Sequence, residues 1–96
     1  MFEFLSMMGN YESRKVDRYN GPDGFYISTA AVNDSDHHYE TAVAHPQFND
    51  GKLIIVEMYD TKAEAQAGHT KWVQTMTAKT LPKSLADVFT SEGGLY

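Results

Sequence analysis

The sequence predicts an α+β fold: a four- to five-stranded, mostly antiparallel meander sheet with one main α-helix packed on one face. Two observations carry this prediction. Turn-forming residues divide the first part of the chain into β-rich segments, and the apolar spacing then changes to that of a helix. Ninety-six residues make one domain, which buries only about 60–65% of the surface exposed in the unfolded chain. Such a domain gains from an additional interface.

Four segments have the composition of β-strands, and short turns between consecutive strands favour an antiparallel meander. The turns are "NGPDG" at 20–24, "VNDSD" at 32–36 and "NDG" at 49–51, where Gly, Pro and Asx residues set or tolerate turn dihedral angles. The predicted strands are "YESRKVDRY" (11–19), "GFYISTAAV" (24–32), "HYETAVAH" (38–45) and "KLIIVEMY" (52–59).

A helix follows over "DTKAEAQAGHTKWVQTMTAK" (60–79). Thr61 is a suitable N-cap, and Glu64 three residues later completes a capping box. The side chains expected to pack against the sheet form one helical stripe, with a histidine at its edge. They are Ala65, Gly68, His69, Trp72, Val73 and Met76.

The ends of the chain are predicted to lie outside this unit. Residues 1–10 form an apolar N-terminal segment, residues 11–90 the single α+β domain, and residues 91–96 a loose tail. "SLADVFT" (84–90) is ambiguous and is interpreted as a fifth strand or a strand-like tail.

Composition excludes several functional classes. The net charge of −5 disfavours contact with the phosphates of nucleic acids. The chain has no cysteine, which excludes disulfides, thiolate nucleophiles and zinc–thiolate sites. No apolar run approaches the ~20 residues of a membrane span. Glu3 stands where a signal peptide carries Lys or Arg, so we expect a protein that acts or is assembled inside a cell.

The predicted sheet is apolar on both faces, and one helix covers only one of them. In "KLIIVEMY", alternation places Ile54, Val56 and Met58 on one face, and Leu53, Ile55 and Tyr59 on the other. A solvated face normally carries polar residues. Either the N-terminal segment or another protein chain is therefore expected to cover the second face.

Contact with another chain is predicted for apolar side chains of the N-terminal segment and of the last strand. The predicted interface residues are Phe2, Phe4, Leu5, Met8, Leu53, Ile55 and Tyr59.

The stretch "DSDHHYETAVAH" (34–45) is rich in metal-ligand side chains. On a strand, however, His37 and His38 point apart, and His45 lies roughly 27 Å from His37. Asp34 and Asp36 with His37 resemble the opening of a calcium loop, but the glycine and glutamate of that motif are missing. We therefore predict no metal site and no cofactor.

His69 admits two interpretations. It is either a packed histidine with one hydrogen bond, or a general base that faces a pocket. The chain contains no G-x-S-x-G motif and no P-loop. No catalytic residue is assigned.

The stretch "YETAVAHPQFNDGKLIIVEMYDTKAEAQAGHTKWV" resembles small proteins encoded by tailed bacteriophages and prophages. The shared features are a "YET" strand, a strand ending "VEMYDT" and a helix carrying "EAQAGHTKWV". This resemblance covers most of the chain, about 11–88. It implies a phage origin and a role in or around the virion.

A second resemblance concerns "VEMYDTKAEAQAGHTKWVQTM", which is similar to the last strand–helix unit of dimeric ferredoxin-like monooxygenases. The chain departs from that family because "NGPDG" joins the first two strands where the family has a helix.

We therefore expect a non-enzymatic phage protein, a structural or accessory component of the capsid, neck or tail. Its partners would be other phage proteins or copies of itself in an oligomer or larger assembly. Neither nucleic acid nor membrane is an expected partner, and its location would be the virion after assembly in the host cytoplasm. Two alternatives remain open: a small dimeric ferredoxin-like enzyme or ligand-binding protein that uses His69, or an intracellular phage protein that inhibits a host factor.

Overall fold

A four-stranded antiparallel sheet forms the framework of the protein, as seen in a computed structural model that describes residues 14–32, 37–89 and 94–96. The strands are β1 (Lys15–Asn20), β2 (Tyr26–Ala31), β3 (Tyr39–Ala44) and β4 (Ile54–Tyr59). Their spatial order is β1-β2-β3-β4, and each neighbouring pair is antiparallel. The predicted α+β meander with one helix on one face is confirmed.

A 3-10 helix at Asn49–Gly51 precedes β4. The α-helix that packs on the sheet, α1 (Lys62–Met76), begins with the predicted signal. The Thr61 side chain accepts a hydrogen bond from the backbone of Glu64, and the Glu64 carboxylate accepts one from the Thr61 backbone. This capping box satisfies two N–H groups that a helix start leaves unpaired.

The hydrophobic core lies between α1 and the sheet, and a leucine beyond the helix closes it. Leu85 is buried there against strand and helix side chains. The buried core residues are Phe25, Ile27, Val43, Phe48, Ile54, Val56, Met76 and Leu85.

A β-bulge in β4 changes which side chains face the helix. Thr41 pairs with Glu57 and Val43 pairs with Ile54, so Val56 is an extra residue without a partner on β3. Because paired residues share a face, Glu57 lies on the helix-covered face. Without the bulge it would lie on the outer face with Ile55.

The bulge overturns the predicted alternation after Val56. Tyr59 is buried on the helix-covered face, whereas Met58 pairs with Glu40 on the outer face. The prediction that Tyr59 shares an outer surface with Leu53 and Ile55 is wrong. Tyr59 therefore no longer belongs among the residues proposed to contact another chain.

A second bulge, in β1, has the same effect on another acidic residue. Lys15 pairs with Ala30 on the outer face, but Asp17 pairs with Thr29, which leaves Val16 as the extra residue. Thr29 is fully buried under the helix. Both bulges therefore turn a carboxylate towards the helix-covered side of the sheet.

The C-terminal region forms no fifth strand within the described residues. Leu85 and Tyr96 exchange two backbone hydrogen bonds of 2.8 and 2.7 Å, and Ala86 bridges Leu95. The Val88 N–H donates to the Ile55 carbonyl oxygen at 2.8 Å. The expectation of a loose tail is thus wrong for residues 94–96, which pair with 85–87.

Candidate functional site

A continuous chain of hydrogen bonds runs through the interior between the helix and three strands. The Thr29 hydroxyl lies 2.7 Å from Nδ1 of His69 and 2.6 Å from the Thr41 hydroxyl. The Thr41 hydroxyl lies 3.0 Å from that of Tyr59, which donates to Oε1 of Glu57 at 3.0 Å. Thr29, Thr41, Tyr59 and His69 are all buried. Low local polarity strengthens such bonds and makes each one costly to break.

Glu57 anchors one end of this hydrogen-bond chain as an acceptor. Its Oε1 atom also receives the Lys71 ammonium at 2.6 Å and the Trp72 indole N–H at 2.8 Å. Burial acts to raise the pKa of Glu57, but the hydrogen bonds from Lys71, Trp72 and Tyr59 outweigh it and lower that pKa below 4.5. Glu57 is consequently a carboxylate at neutral pH and can only accept.

Tyr59 is buried and keeps its hydroxyl proton. This proton sets the direction of the hydrogen bonds in the chain. Burial is the main reason that the pKa of Tyr59 is raised to about 12. A hydroxyl has one proton to donate. Tyr59 donates its proton to Glu57, so the Thr41 hydroxyl must donate to Tyr59, and the Thr29 hydroxyl must donate to Thr41.

The direction of these hydrogen bonds also assigns the tautomer of His69. Since the Thr29 proton is used on Thr41, the Thr29 oxygen can only accept from His69, and Nδ1 of His69 must carry hydrogen. In the neutral imidazole, Nε2 then presents a lone pair. One bond lies within β4, two join neighbouring strands and one joins β2 to the helix. A carboxylate on β4 therefore specifies the protonation of a histidine on α1.

Nε2 of His69 faces an open cavity at the edge of the sheet. It lies 3.9 Å from Oδ2 of Asp17, beyond hydrogen-bond distance. His69 is 3% exposed, whereas the Asp17 side chain is 64% exposed. Burial lowers the pKa of His69 below 6.5, and the Asp17 charge opposes that shift in part. The cavity measures about 330 Å³ and is lined by Asp17, Arg18, Tyr19, His69, Thr70, Val73 and Gln74.

Gly68 allows the helix to approach the sheet beside this hydrogen-bond chain. A Cβ atom at Gly68 would collide with the ring and hydroxyl of Tyr59. Glycine costs about 1 kcal/mol relative to alanine in a helix interior. The absence of a side chain at Gly68 allows α1 to contact Tyr59, and this contact offsets the lower helix propensity of glycine.

A second feature is an apolar surface, which we call the β4-edge surface: Leu53 together with the C-terminal residues Val88, Phe89, Leu95 and Tyr96. These are the large hydrophobic residues of the described chain that stay exposed. Leu53 is 49%, Phe89 57% and Leu95 72% exposed. The hydrogen bond from Val88 to Ile55 ties the C-terminal region to β4.

The outer face of the sheet carries a shallow groove of about 250 Å³. α1 packs on the opposite face of the sheet. Leu53 and Ile55, both predicted to contact another chain, line the groove with Ala42. Arg14 and Arg18 line it as well.

The structure places the predicted helix stripe against the sheet. Ala65, Gly68, His69 and Met76 are buried, and Trp72 and Val73 pack against the core cluster. The N-terminal residues Phe2, Phe4, Leu5 and Met8 lie outside the described residues.

The histidine-rich stretch is divided in the structure. His37 precedes β3, and its Nδ1 lies 2.7 Å from Oδ1 of Asp60 at the surface. Asp34 and Asp36 lie outside the described residues. Among those that are described, no group of three His, Asp or Glu side chains has a geometry that suits a metal ion.

Four members of the site were missed by sequence reasoning: Asp17, Thr29, Thr41 and Glu57. The two threonines left a detectable signal, since they occupy inward positions beside Ile27 and Val43, where apolar residues are expected. The two carboxylates left none, because only the bulges turn them inward.

Comparisons with protein-family models, curated proteins and solved structures found no match for this chain. Within the described residues, no helix is long and apolar enough to cross a membrane.

Proposed function

We propose that this chain is a non-enzymatic bacteriophage protein that acts by contact with other protein chains, as a structural or accessory component of the virion. The observation that carries the proposal is the β4-edge surface. Clustered, exposed apolar side chains are typical of surfaces that bind another protein. The phage assignment rests on the sequence resemblance described above.

The groove on the outer face supports the same proposal. Leu53 belongs both to the β4-edge surface and to the groove lining, so the two regions are continuous through this residue. A stable interface buries roughly 800 Å² on each partner. The groove adds its lining residues to the area available for such an interface.

The internal hydrogen-bond chain also favours a non-enzymatic role. Each hydroxyl in it is bound to its neighbours, and every side-chain nitrogen or oxygen of the described residues that is completely shielded from solvent has a hydrogen-bond partner. The threonine and tyrosine hydroxyls thus join the helix to the sheet instead of facing a substrate. Buried polar groups satisfied in this way favour one packing arrangement of the core.

The test is to introduce charge into the β4-edge surface of the full chain. Leu53→Glu and Phe89→Glu should abolish self-association, measured by sedimentation, or incorporation into phage particles, measured by mass spectrometry of purified virions. Both positions are exposed, so thermal stability should not change. Gln66→Glu, at an exposed position on α1, is the matched control. A wild-type chain that stays monomeric and is absent from particles would contradict the proposal.

Deletion of residues 1–9 addresses the predicted contribution of the N-terminal segment. Weaker assembly with an intact fold is the expected result. If the shortened chain unfolds instead, these residues belong to its own core and the predicted contact residues Phe2, Phe4, Leu5 and Met8 are wrong.

A further inference from the structure

The cavity beside His69 brings together two hydrogen-bond acceptors and no donor between them. The Glu57 carboxylate imposes, through the hydrogen-bond chain, a lone pair on Nε2 of His69. Oδ2 of Asp17 stands 3.9 Å away, while Oδ1 of the same carboxylate accepts from the Arg18 backbone at 2.8 Å. Two facing acceptors repel each other unless a donor lies between them. Among the described residues, no side chain supplies that donor.

We propose that this cavity binds a primary ammonium group, held between Nε2 of His69 and Oδ2 of Asp17. A nitrogen placed ~2.9 Å from both acceptors would see them at an angle of roughly 85°. This is compatible with two N–H bonds of an ammonium group. The third N–H bond remains available for water or for a group of the cavity wall.

The charge distribution around the cavity favours a cation. Asp17 is the acidic residue of the lining, and Arg18 is its basic residue. The Arg18 guanidinium is held elsewhere: its Nε donates to Asn20 at 2.9 Å, and its carbon lies 4.3 Å from the centre of the Tyr26 ring. Tyr26 lines the outer groove. The positive charge of Arg18 is thereby drawn away from the acceptor pair.

The walls of the cavity limit what the ammonium group can be attached to. Tyr19 and Val73 are half-buried and border it with apolar surface. A volume of about 330 Å³ accommodates a short alkyl chain. The ligand is therefore a small free amine or the lysine side chain of another protein chain, which share this chemistry.

A metal ion fits the pair less well. Zinc–ligand bonds are about 2.0–2.1 Å long. With donor atoms 3.9 Å apart, the angle at the metal would be roughly 135–155°, far wider than the tetrahedral angle of protein-bound zinc.

The experiment titrates the full chain with propylammonium chloride at constant ionic strength. A pH of about 8 keeps histidine neutral, since its ordinary pKa is about 6.5. The imidazole nitrogen shifts of His69 are followed by NMR. A saturable shift at Nε2 is expected with propylammonium. Tetramethylammonium, which has the same charge but no N–H donor, should produce none.

Asp17→Asn should weaken propylammonium binding by about tenfold or more, a loss of at least ~1.4 kcal/mol. Asp17 is largely exposed, so the variant should fold. Asp60→Asn is the matched control, because Asp60 is also an exposed carboxylate beside a histidine nitrogen. It should bind like the wild type.

Three results would overturn the inference: no saturable shift with propylammonium, an equal response to tetramethylammonium, or unchanged binding by Asp17→Asn.

The Asp17→Asn variant also separates the two sources of the ammonium group. If it also loses self-association, a lysine of a second copy supplies the group; if only propylammonium binding is lost, the ligand is a free amine. The Leu53→Glu and Phe89→Glu variants test the contact proposal independently, because neither residue lines this cavity.

Discussion

Nδ1 of His69 and the hydroxyl of Thr29 lie 2.7 Å apart in the interior, forty positions apart in the chain. This contact joins α1 to β2 and completes a hydrogen-bond chain that begins at the carboxylate of Glu57 on β4. Its consequence is chemical as well as structural, because the direction of the bonds assigns hydrogen to Nδ1 and a lone pair to Nε2.

Replacement of Thr29 by valine should interrupt the chain in the middle while keeping the side-chain shape. His69 would lose its acceptor and Thr41 its donor. We expect a loss of about 1–3 kcal/mol in the free energy of unfolding, the usual cost of leaving buried polar groups unpaired. NMR of the imidazole nitrogens should show Nδ1 protonated in the wild type and a mixture of tautomers in the variant. A wild type with hydrogen on Nε2 would show that the assigned bond direction is wrong.

Tyr59→Phe should also destabilise the protein by about 1–3 kcal/mol, because Glu57 loses a donor and Thr41 an acceptor. The pKa of Tyr59 is raised from 10.0 to about 12. A raised pKa means that stability is complete below pH 10 and decreases as pH rises from there through about 12. This decrease amounts to about 2–3 kcal/mol at about 1.4 kcal/mol per pKa unit.

The measurement is chemical denaturation of wild type and Tyr59→Phe across this alkaline range. The difference between the two proteins should shrink as the pH rises, since the other tyrosines titrate in both. A constant difference would contradict the raised pKa of Tyr59.

Lowering the pH should decrease the free energy of unfolding, because His69 is protonated more easily in the unfolded chain. Burial holds its pKa below 6.5 in the folded state, so the unfolded chain takes up a proton first as the pH falls. The stabilising contribution is fully present above about pH 6.5 and is lost as the pH falls through the folded-state pKa.

His69→Asn is the informative variant for this acid effect, since an amide can donate to Thr29 but does not titrate. Denaturation midpoints of wild type and variant should converge as the pH drops below 6.5. His38→Asn, at an exposed site, is the control for the loss of a surface histidine. If the denaturation midpoints of His69→Asn and wild type change in parallel with pH, His69 does not cause the loss of stability in acid.

Gly68→Ala should destabilise the protein by about 1–3 kcal/mol, the usual cost of overpacking a core. Helix propensity alone predicts the opposite, a gain of about 1 kcal/mol. We expect destabilisation because the new methyl group would collide with the buried ring of Tyr59. Ala67→Gly, at the exposed neighbouring position, isolates the propensity cost. Thermal denaturation of both variants decides the matter, and a stabilised Gly68→Ala would show that the helix does not press on Tyr59.

The limit of sequence reasoning is clearest in β4. Alternation correctly placed Ile54 and Val56 on the helix-covered face, but it failed from Glu57 onward. Side chains alternate between the two faces only in a regular strand, and one extra residue reverses the faces of all residues after it. Nothing local in "KLIIVEMY" marks Val56 as that residue.

The sequence by itself determined the parts of this protein that depend on near neighbours. The capping box of Thr61 and Glu64, the stripe of α1 and the order of the meander all follow from short-range spacing and turn chemistry. Only the tertiary structure decided where the acidic residues point. The bulges of β1 and β4 are set by how neighbouring strands pair and twist. They bring Glu57 to one end of the hydrogen-bond chain and place Oδ2 of Asp17 3.9 Å from Nε2 of His69 at the other end.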